Sequence, residues 1–364
     1  MQATLAVMTQ ANAPLEFRSY EVPAPRPGDL VIKLSLANLC GSDLHFWHGN
    51  GPPFIYEMPI VLGHEMVGTV EALGDGVTTD TAGQPLTVGD RVVYSYFKPC
   101  GKCWACIAGD GACPNRNVDW FGTSADAFPH FNGAFGEYYY MKAGHWVFKV
   151  PDALTDALVS PVNCALCESL YGLWRIGVTV GDAVLIQGAG GLGLYATAIA
   201  KEMGAGRVIV ADRITQRLEL ARAFGADEVL NVGETTSDER LALMREWTGG
   251  RGVDVAMELT GSPACLPEGI DALRQGGRYL WIGCIAQNLK CEIEPARVVR
   301  ASKRLQGVIA YEAWCIPRAL DLLQRRQAVY PFHKIVSHTF PFARLNEAVA
   351  LANEGKAIRV SVKF

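Results

Sequence analysis

The sequence predicts an α/β chain of two domains, a strand-rich one followed by a doubly wound parallel sheet, and three observations lead there. Its 364 residues, 49% of them apolar, are enough to fill two sizeable cores. Up to about residue 155 the chain is rich in Gly and Pro, with short alternating runs such as Leu30 to Leu36 and Val67 to Glu71 that read as strands between turns. From Ala183 onward the texture changes. Apolar strands alternate with helical stretches at roughly 30 residues per unit, the signature of strand–helix–strand crossovers.

Taken in order, 183–187 reads as a strand, 192–203 as a helix, 207–211 as a strand and 217–224 as a helix. Gly204 and Gly225 stand where those helices should stop. Beyond about 305 the alternation fades, and 357–364 reads as a last strand returning to the first domain. The expected division is therefore 1–160, 161–305 and 306–364, with a cysteine lobe at about 98–115.

Composition excludes several classes of function. With 19% charged residues, a formal net charge of −4 and no Lys/Arg run, the chain offers no field for nucleic acid. No apolar stretch reaches the ~20 residues needed to span a bilayer. Residues 1–15 carry neither a basic segment nor a long apolar one, so the expected location is the cytoplasm. Eleven cysteines, four of them between Cys100 and Cys113, suggest metal rather than disulfides in that compartment.

Gly188, Gly190, Gly191 and Gly193, with Leu192 among them, form a GxGxxG between a predicted strand and a predicted helix. Glycines there let the backbone approach a pyrophosphate, and the helix N-terminus supplies free N–H groups. The next strand ends in Asp212, about 20 residues on, where a carboxylate accepts the ribose hydroxyls of NAD and repels a 2′-phosphate. Arg217 lies one helical turn further, flanking the ribose. Arg213, beside Asp212, would soften the rejection of NADP.

Two sets of metal ligands stand out. Cys100, Cys103, Cys106 and Cys113 place four thiolates on one loop, which is the closed set of a structural zinc. An iron–sulfur cluster is the residual reading. Cys40, His64 and Cys164 are dispersed. Singly each is unremarkable, but together they offer two thiolates and an imidazole, leaving a fourth zinc position open for chemistry.

The residues Cys40 to His45, Gly63-His64-Glu65, the cysteine lobe, Gly188 to Gly193, Asp212 and Ile358-Arg359 together resemble the zinc-containing medium-chain dehydrogenase/reductase family of alcohol dehydrogenases. The resemblance covers nearly the whole chain. It implies a GroES-like β-barrel catalytic domain interrupted by a Rossmann domain, two zinc ions and NAD, a small alcohol or ketone as substrate, and a homodimer or homotetramer. By the same resemblance Cys40, His64 and Cys164 are the catalytic ligands, with Cys167 the competitor for the third place. Glu65 is a carboxylate able to approach the metal. Asp43 orients the histidine ligand. Ser42 and His45 form a proton relay through the ribose, and Arg359 contacts the pyrophosphate.

Two departures from the family pattern bear on the reading. The lobe has six residues before its last cysteine where seven are common. Position 164 is Cys rather than the Glu of many polyol dehydrogenases, which argues against a sugar alcohol. Phe46, Trp47, Phe54, Tyr56, Trp120, Phe121, Phe128 and Phe131 fall in segments that approach the substrate in this family, so the expected substrate is a bulky, apolar secondary alcohol, cyclic ones included. A polyol- or threonine-type dehydrogenase is the alternative. A zinc-free reductase would not need these ligands, and a zinc-lobe interaction module would need a basic flank that is missing.

Overall fold

A computed structural model describes residues 1–50, 58–109, 113–286 and 289–364. The chain divides into two compact units. One comprises Met1–Cys164, Glu312–Gln327 and Phe332–Phe364; the other comprises Ala165–Tyr311 and Ala328–Pro331. The junctions thus fall at 164/165 and 311/312, where the sequence suggested 160 and 305. Residues 328–331 make a short excursion that no sequence pattern announced.

The first unit is a β structure. Its opening strands are β1 (Gln2–Met8), β2 (Glu16–Glu21) and β3 (Leu30–Leu39), followed by helix α1 (Gly41–Trp47). Then come β4 (Ile60–Val61), β5 (Glu65–Leu73) and β6 (Arg91–Tyr94), and the short helices α2 (Trp104–Ala108) and α3 (Asp119–Gly122). Strands β7 (Tyr138–Met141) and β8 (Val147–Lys149) and helix α4 (Asp156–Val159) complete this stretch. A three-stranded sheet runs β2-β1-β4.

In the second unit a π-helical turn, Val162–Leu166, leads into α5 (Cys167–Ile176). The order is then β9 (Ala183–Gln187), α6 (Gly191–Glu202), β10 (Arg207–Asp212), α7 (Thr215–Ala223), β11 (Glu228–Asn231) and α8 (Ser237–Trp247). It continues with β12 (Val253–Glu258), α9 (Leu266–Ala272), β13 (Leu273–Trp281), α10 (Pro295–Val299) and β14 (Arg304–Gly307). All six strands pair in parallel, in the order β11-β10-β9-β12-β13-β14. Chain order reverses between β9 and β12, the switch point at which such sheets bind dinucleotides. Strand β9 is buried along its whole length, as a central parallel strand covered on both faces must be.

The chain then returns to the first unit through α11 (Cys315–Arg326), β15 (His338–Pro341), α12 (Leu345–Asn353) and β16 (Val360–Lys363). Helix α11 buries Cys315, Ile316, Ala319, Leu320 and Leu323, a helical stripe that the fading alternation had concealed. Strand β16 joins the main sheet of the first unit, ordered β15-β16-β3-β5-β6-β8 with β7 on β3. Antiparallel register sets Val360 opposite Leu39 and Asn38 opposite Glu65. The ends of three neighbouring strands thereby bring Arg359, Cys40, His64 and Glu65 to one place.

Candidate metal and nucleotide sites

The sulfurs of Cys40 and Cys164, a ring nitrogen of His64 and a carboxylate oxygen of Glu65 all lie within 4.8 Å of one another. Cys164 is the thiol in this group, while Cys167 opens the buried α5 of the other unit. Asp43 holds the group together. One oxygen accepts from the Cys40 amide at 2.8 Å, and the other accepts from the Gly63 amide at 3.0 Å and faces His64 Nδ1 at 3.3 Å. This fixes the imidazole with Nδ1 on the carboxylate and Nε2 free to ligate. Gly63 has a φ of +89°, and a Cβ there would strike the Phe135 ring at 2.8 Å, so only glycine passes.

Residues that sequence reasoning missed support the same centre. Wholly buried Asn163 donates to the carbonyls of His64 at 3.0 Å and Tyr94 at 2.9 Å, pinning the π-helical turn that carries Cys164. Such turns mark functional positions often enough that the pairing is informative. Asn38 donates to Glu65 at 3.4 Å. Neither asparagine sits in a motif, and only the sheet register reveals them.

Arg359 differs from expectation. Its guanidinium, 5% exposed, donates to Glu65 rather than standing open to a phosphate, because β16 lies beside β3 and turns this side chain inward. It acts here as the counter-ion of a buried carboxylate. Burial pushes Glu65 up to about 8 against the opposing pull of Arg359. Cys40 is drawn well below its ordinary value by the neighbouring Cys164 thiol and then by His64. Burial alone would depress His64, but Asp43 and Cys40 outweigh it and hold its pKa high. Negative donors crowded about one point are the environment a divalent cation relieves.

Ser42 and His45 sit half-buried on α1, three residues apart and so on one face. Burial lowers the pKa of His45, which keeps the ring neutral and able to take a proton. Trp120 stacks on His64 with centroids 4.4 Å apart, and Tyr96 meets it edge-on at 4.8 Å. Phe46 packs on Trp120 and, at 4.6 Å, on Phe121. Trp47 instead anchors α1 by donating to the Ala13 carbonyl. Phe131 is fully buried against Tyr138 in a separate core, and the ring of Phe128 lies under the Arg26 guanidinium, so neither reaches the metal group. Phe54 and Tyr56 lie outside the described residues.

In the lobe, the sulfurs of Cys100 and Cys106 are 3.9 Å apart, Cys103 and Cys106 3.5 Å, and Cys103 and Cys113 3.7 Å. A tetrahedron with Zn–S near 2.3 Å has edges of roughly 3.8 Å, so the four thiols fit that ion. The amides of Lys102 and Cys103 help draw Cys100 down to about 6, whereas burial and the other thiols push Cys106 up to about 12. Four such groups ionise together only around a cation. Part of the shortened spacer, 110–112, lies outside the described residues.

In the second unit the glycine turn divides its work. Gly188 has a φ of +104°, and a Cβ at Gly193 would meet the Gly188 carbonyl oxygen at 1.8 Å. At Gly190 nothing lies within 4 Å, leaving room where a phosphate would approach. Leu192 is half-buried, its carbonyl accepting from the Ser169 hydroxyl. Asp212, at the end of β10, accepts from the Ala189 amide at 2.6 Å and the Ile214 amide at 2.9 Å, which fixes the turn and leaves further lone pairs. Arg213 is exposed and Arg217 half-buried on the first turn of α7.

Comparison with known proteins agrees with this geometry. Residues 26–152 match the alcohol dehydrogenase GroES-like domain and residues 191–325 the zinc-binding dehydrogenase family. The 5-exo-hydroxycamphor dehydrogenase of Pseudomonas putida is 31% identical over 98% of this chain and 97% of its own length. The chain belongs to the zinc-containing medium-chain dehydrogenase/reductase family. It is an oxidoreductase with a GroES-like domain and a Rossmann domain, and its cofactors are zinc and NAD(P). The sorbitol dehydrogenase of Gallus gallus is also 31% identical, over 99% of this chain and 96% of that one. An alcohol dehydrogenase of Thermotoga maritima superposes with a TM-score of 0.93 at 28% identity, covering 100% of this chain and 99% of its own. Among the described residues no helix is long and apolar enough to cross a membrane.

Proposed function

We propose that this dehydrogenase uses NAD to oxidise a secondary alcohol with a bulky, mainly apolar body to its ketone. The observation that carries the reading is the Cys40, His64 and Cys164 set, three ligands with Glu65 tied to Arg359 and one position left for substrate. Zinc held there supplies Lewis acidity, and bound NAD accepts the hydride. Cys40 and Cys164 present thiolates, and Asp43 keeps His64 turned toward them. Ser42 accepts the alcohol proton, and His45, one turn along the same helix face, passes it on to solvent. Asp212 favours NAD, since its carboxylate accepts ribose hydroxyls and opposes a 2′-phosphate. The lobe takes a second, structural zinc, and the enzyme works in the cytoplasm as a homo-oligomer.

Support for the substrate class comes from the rings of Trp120, Phe121 and Phe46 layered beside His64. The hydroxycamphor relative, whose substrate name describes a bulky alcohol, points the same way. A bicyclic alcohol that buries ~100 Å² more apolar surface than ethanol gains about 2.5 kcal/mol, or roughly 70-fold in kcat/KM. The test is NADH formation with cyclohexanol, a bicyclic terpene alcohol, ethanol, sorbitol and threonine. The bicyclic alcohol should lead by at least tenfold. A clear preference for sorbitol or threonine overturns the proposal.

A further inference from the structure

Strand β12 ends in Glu258, whose side chain is wholly buried. One carboxylate oxygen accepts from the Thr260 amide at 2.6 Å, the Thr260 hydroxyl at 2.9 Å and the Gly261 amide at 2.7 Å. The other accepts from the Cys284 amide at 2.9 Å. Its backbone carbonyl takes the amides of Ile282 and Gly283. Among the described residues no Lys or Arg pairs with this carboxylate. A buried negative charge without a cation is costly, and here the N–H and O–H donors of two loops, with the Cys284 thiol beside them, offset it.

The two loops sit at a particular place. Residues 259–261 follow β12 and 283–284 follow β13, both at the carboxyl ends of strands beyond the switch point from β9 and β10. The 259–260 segment also rests on the glycine turn, since a Cβ at Gly188 would meet Thr260 Cγ2 at 3.1 Å and the Leu259 carbonyl carbon at 3.2 Å. The two loops themselves are in contact: a Cβ at Gly283 would strike the Gly261 amide nitrogen at 2.7 Å and Glu258 Oε1 at 2.8 Å. Peptide planarity turns the Leu259 and Thr260 carbonyls away from the carboxylate that holds their N–H partners. Acceptors facing outward suit a ligand rich in O–H and N–H donors, such as a ribose or a carboxamide.

We propose that Glu258 is a positioning residue for the nicotinamide half of the dinucleotide, holding the β12 and β13 loops in the register that this half requires. The glycine turn and Asp212, on the β9 and β10 side, serve the adenosine half. The inference rests on NAD(P) binding at this sheet, and its test separates the two ideas.

The experiment measures the dissociation constants of NADH, by fluorescence, and of ADP, which lacks the nicotinamide-side ribose, by calorimetry, for the zinc-loaded wild type, Glu258→Gln and Gly283→Ala. In Glu258→Gln the amide oxygen keeps its three donors while the NH2 opposes the Cys284 N–H, which frees the second loop. Gly283→Ala keeps the carboxylate and wedges the loops apart, so it carries the test if Glu258→Gln does not fold. Each variant should weaken NADH by roughly tenfold or more, with ADP changed less than threefold. A general loosening of the unit would weaken both ligands alike, and that result overturns the inference. Unchanged NADH binding in folded variants does so as well. A wild type that binds neither ligand overturns the cofactor reading and this inference with it.

Discussion

The two cysteine clusters use the same chemistry with opposite architecture. In the lobe, four thiols from one short loop face each other, and α2 within it leaves Trp104 and Ile107 exposed. The group at Cys40 draws on three distant segments, and wholly buried polar side chains, Asn38, Glu65 and Asn163, surround it. A closed site needs only ligands near in sequence. An open one must be held apart from a fourth donor, and that takes a scaffold, here Asp43 on one side and the Arg359–Glu65 pair on the other. Replacing a support should therefore damage the open site without touching the lobe, and replacing a lobe thiol should do the reverse.

The largest effect is expected from Cys164→Ser. Metal analysis should fall from about two zinc ions per chain to about one, and turnover by ~1,000-fold or more. Cys167→Ser should retain both. The opposite pattern would give Cys167 the ligand role and remove the reason for the π-helical turn.

Next comes Asp43→Asn, which keeps the shape but weakens the bonds that orient Cys40 and His64. Turnover or affinity for the catalytic zinc should drop by about 10- to 100-fold, read from kinetics against a chelator series. An unaltered metal affinity and turnover would mean the sheet register alone holds the ligands.

The smallest effect on turnover belongs to Cys106→Ser in the lobe. Zinc should again fall to about one per chain, and the melting temperature on the order of 5 °C. Activity measured well below that temperature should largely persist. Loss of activity in step with Cys164→Ser would abolish the distinction drawn between the two clusters.

How far each region could be read from sequence follows from the same contrast. The lobe and the glycine turn are contiguous, so spacing alone exposed them. Cys40 and His64 stand in local motifs with Asp43 and Gly63, whereas Cys164 was reached only through the family resemblance. Asn38, Asn163 and Glu258 were not reached, because their roles depend on which strands lie side by side. The pairing of Arg359 with Glu65 was not foreseen, since its inward direction follows from β16 lying on β3. Helix α11 left a legible stripe at Ile316, Ala319, Leu320 and Leu323, which the reading of a fading alternation passed over.

The nesting of one unit inside the other also sets an order of assembly during synthesis. Residues 165–311 can collapse into their parallel sheet while later segments are still being made, because domains fold as units on the ribosome. The first unit cannot close so early. Its main sheet keeps a gap beside β3 until β16 arrives, and Glu65 waits 294 residues for the arginine that neutralises it. Until then the nascent chain holds a buried-to-be carboxylate and reactive thiols without their final enclosure. The group at Cys40 is therefore enclosed only once the last strand has been made, whereas all four thiols of the lobe exist as soon as Cys113 has emerged.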